Sequence, residues 1–355
     1  MLAVILAFVF PVNAISAKNA VVIDTATGRV LFERNADTKS LIASTTKIMT
    51  ALVVCEQTNV LDRVRIPNEA VGIEGSSIYL KAGEVLTVQE LLYGMMLHSG
   101  NDAAMALAIY CGGTIEGFVE IMNDKARDLG LLNTHFENPH GLDGEAHYST
   151  AQDLAVLASY AMQNPIFTKI VSTKTIRIGD RYLHNHNKLL WQLEGAEGIK
   201  TGYTKAAGRI LVSSTSRNGR RIVAVTICAP DDWNDHRILV EEGFSEYQLQ
   251  QILWAGQCLG EREIAGGEVG MVKLIAADDF FYPIAENECI RIVLPEPGFV
   301  YAPIARGQKA GDALIYLNDR LIGKIPLIYG ETIEQQSQDD ASIWGRLFGG
   351  SSYDR

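Results

Sequence analysis

The chain has 355 residues, 47% of them hydrophobic and 21% charged, an ordinary balance for a globular protein and enough length for two domains. Its net charge of −11 argues against nucleic acid as a partner and means that an anionic substrate would need a local positive patch. Five cysteines (Cys55, Cys111, Cys228, Cys258 and Cys289) show no C-x-x-C spacing, and an odd count leaves at least one free thiol if the rest pair, so no specific disulfide is expected.

Residues 2–10 form a short apolar run, followed by Pro11 and two small-residue triplets, Val12-Asn13-Ala14 and Ile15-Ser16-Ala17. Residues 1–17 read as a secretory signal peptide too short to cross a bilayer, although the usual positive start is missing; the alternative is a buried N-terminal strand. Residues 21–33 read as a hairpin turning at Thr27-Gly28. Residues 42–54 then read as the start of a helix that is apolar nearly all round, which belongs at the centre of a domain. Its first turn nevertheless carries Ser44 and Lys47, three apart and therefore on one face. Burial would disfavour the charged form of Lys47 and make it a usable base beside Ser44. Alone the pattern is weak, because S-x-x-K arises by chance about once in such a chain, and Ser44 or Thr45 would serve equally well as a helix cap.

Residues 61–86 read as irregular with short strands. Thr87 and Glu90 form a capping box that opens a helix over 88–97. That helix breaks at His98-Ser99-Gly100-Asn101-Asp102, and further helices are expected over 103–110 and 115–129, each closed by glycine. Thr150 with Asp153 opens another helix to about Met162. Strands are expected over 173–178, 199–204, 209–216 and 221–229, the last two joined by the hairpin turn Asn218-Gly219, followed by a helix over 233–249. A strand pair at the start, helices in the middle, then strands and a helix fit an α+β unit whose antiparallel sheet joins both ends. From Gly266 the pattern is all-β, with strands over 269–276, 290–294, 313–317 and 321–325. The expected domains are therefore 18–257 and a small β-sandwich over 258–330. Residues 331–355 form a polar linker ending in Ile343, Trp344, Leu347 and Phe348 on one helical face, which suits either a membrane-surface anchor or an unstructured tail.

Three stretches carry the chemistry. Ser99-Gly100-Asn101 alone would be a turn and a cap, and Lys200-Thr201-Gly202 alone an exposed strand end. Taken in order with Ser44 and Lys47, they form the S-x-x-K, S-x-N and K-T-G set of the penicillin-recognising acyl-serine enzymes. Ile42-Ala43-Ser44-Thr45-Thr46-Lys47-Ile48-Met49-Thr50-Ala51, Ser99-Gly100-Asn101-Asp102-Ala103-Ala104, Asn138-Pro139-His140-Gly141-Leu142, His147-Tyr148-Ser149-Thr150-Ala151 and Gly198-Ile199-Lys200-Thr201-Gly202-Tyr203-Thr204 extend the likeness. On these stretches the chain resembles the low-molecular-mass penicillin-binding proteins, the serine-type D-alanyl-D-alanine carboxypeptidases, strongly over about residues 18–255 and more loosely over the β-domain.

The resemblance implies an α+β, β-lactamase/transpeptidase-like catalytic domain: an antiparallel sheet flanked by helices, with a helical subdomain. It implies acyl transfer in which Ser44 attacks the terminal D-Ala-D-Ala bond of a peptidoglycan stem peptide, Lys47 takes its proton and Ser99 relays a proton to the leaving amine. Asn101 would hydrogen-bond the substrate amide, Lys200 and Thr201 would receive its carboxylate, and Gly202 would let it lie along the strand as an added β-strand. Backbone N–H groups of Ser44 and Tyr203 would form the oxyanion hole. β-Lactams would acylate the same serine. No cofactor is implied, and the spacing of His135, His140, His147, His184 and His186 matches no metal motif, so these histidines read as loop and packing residues. The leading expectation is an exported D,D-carboxypeptidase that limits cross-linking. A D,D-endopeptidase, a β-lactamase (although no E-x-x-L-N stretch lies between the second and third motifs) and a low-turnover penicillin-binding scaffold are the alternatives.

Overall fold

The computed structural model describes residues 15–296 and 298–336. The body of the expected signal peptide (residues 1–14) and the tail residues Ile343, Trp344, Leu347 and Phe348 lie outside the described residues. The chain divides after Tyr247 into two compact units.

In the first unit β1 (Asn19–Asp24) and β2 (Val30–Arg34) form the expected hairpin. Asp24 ties its turn by accepting from Thr27 N at 3.0 Å and Thr27 Oγ1 at 2.8 Å. A 3₁₀ turn, Ala43–Thr46, then leads into α1 (Lys47–Gln57). The short pair β3 (Arg63–Arg65) and β4 (Val85–Thr87) precedes α2 (Val88–Leu97), which opens with the Thr87/Glu90 capping box read from the sequence. α3 (Asn101–Gly112) and α4 (Ile115–Asp128) follow, and α5 (Ala151–Ala161) starts where Thr150 accepts from Asp153 N. α6 (Pro165–Ser172) has no counterpart among the expected elements, although Asn164 caps it and proline stands at its first position. A small hairpin, β5 (Thr175–Ile178) and β6 (Arg181–His184), and the single turn α7 (Leu189–Gln192) lead to the main sheet strands β7 (Ala196–Thr204), β8 (Gly208–Arg217) and β9 (Arg220–Ile227). α8 (Asp232–Ser245) closes the unit.

These strands form one five-stranded antiparallel sheet in the order β2-β1-β9-β8-β7, so the two ends of the unit share a sheet as expected. Side chains alternate between its faces. Val21, Ile23, Ile210, Val212, Val223 and Val225 pack with the helical group from α1 to α6. Ala20, Val22, Leu211, Ile222 and Ala224 pack with Ile238, Leu239 and Val240 of α8. α1 runs through the centre of the larger core and is buried from Lys47 through Cys55. Each buried aliphatic side chain there contributes about 1.5–3 kcal/mol of transfer free energy, which is what keeps a buried lysine at the head of the helix tolerable.

Ile15-Ser16-Ala17, expected to fall within the signal peptide, belong instead to this packed unit. Ile15 is buried in the α8 cluster, and Arg34 Nη1 donates to the carbonyls of Ile15 (3.0 Å) and Ala17 (3.2 Å). Ser16 donates through N and Oγ to the Asp235 carboxylate, both at 2.8 Å.

The second unit is all-β, and it begins earlier than residue 258. The last helix ends at Ser245, and residues expected to continue it form β10 (Gln248–Leu253), which pairs with β13 (Phe280–Ile284). The run Gln248-Leu249-Gln250-Gln251 has no alternating pattern to announce a strand; cross-strand pairing decides its conformation. β14 (Ile290–Val293), β16 (Lys309–Leu317), β17 (Arg320–Tyr329), β12 (Met271–Ala276), β11 (Cys258–Ala265) and β15 (Phe299–Tyr301) form a six-stranded sheet in that order. Leu253 and Phe280 of the two-stranded sheet pack with Ala276, Ile315 and Ile325 of the larger one, giving the expected sandwich.

Candidate active site

Ser44 is the one partly exposed residue of the turn Ala43–Thr46; Ala43, Thr45 and Thr46 are buried. The turn is pinned from below. Thr46 Oγ1 donates to Ala43 O at 2.9 Å and lies 2.7 Å from His147 Nε2. Ala43 has φ +46°, in the left-handed region that non-glycine residues seldom occupy, so the surroundings must over-determine it. One contact that does so is Gly141, where a Cβ would stand 1.9 Å from Ala43 O.

Lys47 is fully buried, and its Nζ lies 3.0 Å from Ser44 Oγ, 2.7 Å from Asn101 Oδ1 and 2.6 Å from His140 O. Burial, and after it the charge of Lys200, hold its pKa well below the usual lysine range, against a smaller opposing effect of Asp102. A neutral amine has two N–H donors and one lone pair. Asn101 Oδ1 and His140 O can only accept, so they take the two N–H groups and leave the lone pair facing the Ser44 hydroxyl. This is the geometry of a base that removes the serine proton.

Asn101 reaches Lys47 rather than open cleft. It is 4% exposed, its Oδ1 is engaged by Lys47, and its Nδ2 donates to Glu74 O at 2.6 Å. Its neighbour Asp102, not among the expected site residues, gathers the segment above the site. Its carboxylate accepts from Ser77 Oγ (2.6 Å), Ile78 N (3.1 Å) and Leu80 N (3.1 Å). An acidic residue in the first turn of α3 was the available signal for such a role. His140, expected to be a loop or packing residue, acts through its backbone carbonyl on Lys47.

The third motif lies on β7, the last strand of the sheet. Gly202 packs against the serine turn: a Cβ there would meet Ile42 O at 3.2 Å and Ala43 Cβ at 3.3 Å, so even a methyl group would make the turn give by a few tenths of an ångström. Lys200 is 1% exposed, its Nζ donates to Thr201 O at 2.9 Å, and burial lowers its pKa to about 7. Thr201, Gly202 and Tyr203 line a cleft of about 590 Å³ together with Ser44 and Ser99. Tyr203 is 65% exposed, and Ser99, at φ +62°, sits at the break between α2 and α3. Ser44, Ser99 and the K-T-G strand thus meet at one cleft, with Lys47, Asn101 and Lys200 buried behind it.

Six further residues on that cleft were not read from the sequence as site residues: Ser76, Lys188, Arg209, Pro230, Asp232 and Trp233. His186, in the loop between β6 and α7, also lines it. Burial, then the charge of Lys200, pushes its pKa down to about 4, and its ring centroid is 4.9 Å from that of His98. Among the described residues no cluster of three or more His, Cys, Asp or Glu could hold a metal ion.

Known proteins share this chain's sequence and fold. The D-alanyl-D-alanine carboxypeptidase family model matches residues 8–231, and that of the penicillin-binding protein 5 C-terminal domain matches residues 247–335. The chain is 32% identical over 335 residues to the D-alanyl-D-alanine carboxypeptidase DacF of Bacillus subtilis, covering 90% of this chain and 86% of that one. It is 33% identical over 349 residues to DacC of Escherichia coli, covering 91% and 85%. The crystal structure of penicillin-binding protein 5 from Haemophilus influenzae is similar with a TM-score of 0.77 and 30% identity, over 90% of this chain and 98% of that one. A serine–lysine pair, an S-x-N turn and a K-T-G edge strand meeting at one cleft, on a chain matched nearly end to end, establish that this protein belongs to the D-alanyl-D-alanine carboxypeptidase family of serine peptidases.

Proposed function

We propose that the protein is an exported D,D-carboxypeptidase that removes the terminal D-alanine from peptidoglycan stem pentapeptides and so limits cross-linking. The observation that carries this reading is the placement of Lys47 Nζ 3.0 Å from Ser44 Oγ, with two acceptors, Asn101 Oδ1 and His140 O, also in contact with it. Ser44 Oγ attacks the carbonyl carbon between the last two D-alanines, forming an ester, and its proton passes to Lys47 Nζ. The C–N bond breaks, and the proton returns to the leaving amine with Ser99 as relay. Water then hydrolyses the ester and regenerates Ser44. The backbone N–H groups of Ser44 and Tyr203 stabilise the oxyanion, and the open edge of β7 takes the substrate as an added strand.

β-Lactams acylate Ser44 in the same way but leave slowly hydrolysed adducts. Mass analysis after incubation with benzylpenicillin is expected to place an adduct on the peptide containing Ser44; an adduct elsewhere, or one retained in Ser44→Ala, would defeat the assignment.

Export rests on the apolar run over residues 2–10. The packing of Ile15, Ser16 and Ala17 favours cleavage after Ala14 over cleavage after Ala17. N-terminal sequencing of the exported protein is expected to begin at Ile15. The tail, whose sequence spaces Trp344 and Phe348 four residues apart, would hold the enzyme at the outer face of the membrane, which flotation with anionic vesicles tests against a chain ending at Gln336.

A further inference from the structure

A substrate ending in a free carboxylate needs a cation within reach of Thr201, and the net charge of −11 makes a local one necessary. Lys200 is poorly placed for this. It is 1% exposed, does not line the cleft, and its Nζ is taken by Thr201 O. The cations that do line the cleft are Arg209 and Lys188.

Strand register separates these two. Tyr203 on β7 pairs with Arg209 on β8, and Thr201 pairs with Leu211. Thr201, Tyr203, Arg209 and Leu211 therefore share one face of the sheet. Arg209 is the diagonal neighbour of Thr201, about 7–8 Å away at the backbone, a span that an arginine side chain covers. Its guanidinium is held rather than loose. Nε donates to Asp232 Oδ1 at 3.1 Å, and Nη2 donates to Oδ1 at 2.8 Å and Oδ2 at 3.0 Å. The Trp233 ring centroid lies 5.8 Å from Cζ. Asp232 is only 3% exposed, whereas Arg209 is 43% exposed. Nη1 makes none of these bonds and keeps its N–H groups for a further acceptor. Such a clamp spends little rotamer entropy when a carboxylate arrives.

We propose that Arg209, fixed by Asp232 and Trp233, is the cation that receives the terminal carboxylate of the stem peptide together with the Thr201 hydroxyl. This rests on the carboxypeptidase reading above. Arg209 is then a specificity-determining residue, because it distinguishes a free C-terminal carboxylate from an uncharged end, and Asp232 is its positioning residue.

The test compares kcat/KM for a peptide ending in D-Ala-D-Ala with that for the same peptide as its C-terminal amide, following the released D-alanine or D-alaninamide by chromatography. The wild-type enzyme is expected to favour the acid. The double variant Arg209→Gln/Asp232→Asn, which leaves no unpaired buried carboxylate, is expected to lower the acid-to-amide ratio about 10- to 100-fold, the range for one charge-assisted hydrogen bond. Arg209→Lys keeps the cation but loses the fork. It is expected to lower the ratio by about threefold or more, and it carries the test if the double variant fails to fold. An unchanged ratio in both, or a ratio that falls in Lys188→Gln instead, would overturn the assignment of Arg209. No release from either peptide by the wild-type enzyme would overturn the carboxypeptidase reading itself.

Discussion

Asn101 Oδ1 accepts from Lys47 Nζ at 2.7 Å, while the other end of the same amide donates to Glu74 O at 2.6 Å. The second motif therefore acts on the base of the first. An amide suits this position because it accepts from the amine without adding charge, and Lys47 is kept below its usual pKa by burial and by Lys200. Asn101→Asp would place a carboxylate against Nζ and favour the ammonium. The base must be neutral, so activity is lost as pH falls through its pKa, and raising that pKa carries the acid limb of kcat/KM to higher pH. The expected outcome is an acid limb displaced upward and a fall at pH 7 of about 10- to 100-fold, part of the 10²–10⁴ that a positioned base supplies. An acid limb that stays in place would show that Lys47 does not set it.

Gly141 and Ala43 hold the nucleophile turn by close approach of backbone to backbone. Gly141 has φ +91°, and a Cβ there would stand 1.9 Å from Ala43 O and 2.4 Å from Ala43 C. Backbone atoms cannot swing aside as a flexible side chain can. Gly141→Ala is expected to cost about 1–3 kcal/mol of stability and to slow acylation by benzylpenicillin more than tenfold, because Ala43 precedes Ser44. Urea unfolding and stopped-flow acylation measure the two effects separately.

His236 joins α8 to the sheet, with Nδ1 2.7 Å from Ser213 Oγ and Nε2 2.9 Å from Thr226 Oγ1. Its complete burial lowers its pKa from 6.5 to about 3. Between those values the unfolded chain binds a proton that the folded chain refuses, so stability is fully present above pH 6.5 and falls as pH drops through the window. His140, lowered to about 3, and His147, lowered to about 4, both chiefly by burial, act in the same direction. Each contributes up to about 1.4 kcal/mol per pH unit. Urea unfolding at several pH values from 4.5 to 7.5 is expected to give a shallower pH slope for His236→Gln than for the native chain, and an equal slope would contradict this account.

What could be read in the sequence was local. The Thr87/Glu90 box, the Thr150 cap and the Asn218-Gly219 turn each put their signal within a few residues of the structure they make. The two ends of the main sheet were legible because β1 and the β8–β9 hairpin carry strong β patterns. What escaped depends on distant partners. β10 is a strand because β13 pairs with it, and Ile15 belongs to the domain because α8 and Arg34 receive it. Ser44, Lys47, Ser99 and Lys200 stood out as types in order, but Asn101 turning inward to Lys47 and Arg209 lying diagonal to Thr201 follow only from packing and strand register. His186 reads from the sequence as a loop or packing residue, and only the fold brings it to the cleft.

The central claim is that Ser44, deprotonated by neutral Lys47, opens the terminal D-Ala-D-Ala bond. D-Alanine release from a pentapeptide ending in D-Ala-D-Ala, by the native chain and by Ser44→Ala, tests it most directly. The account predicts release by the native chain that vanishes in the variant; release that persists at the native rate in Ser44→Ala would contradict it.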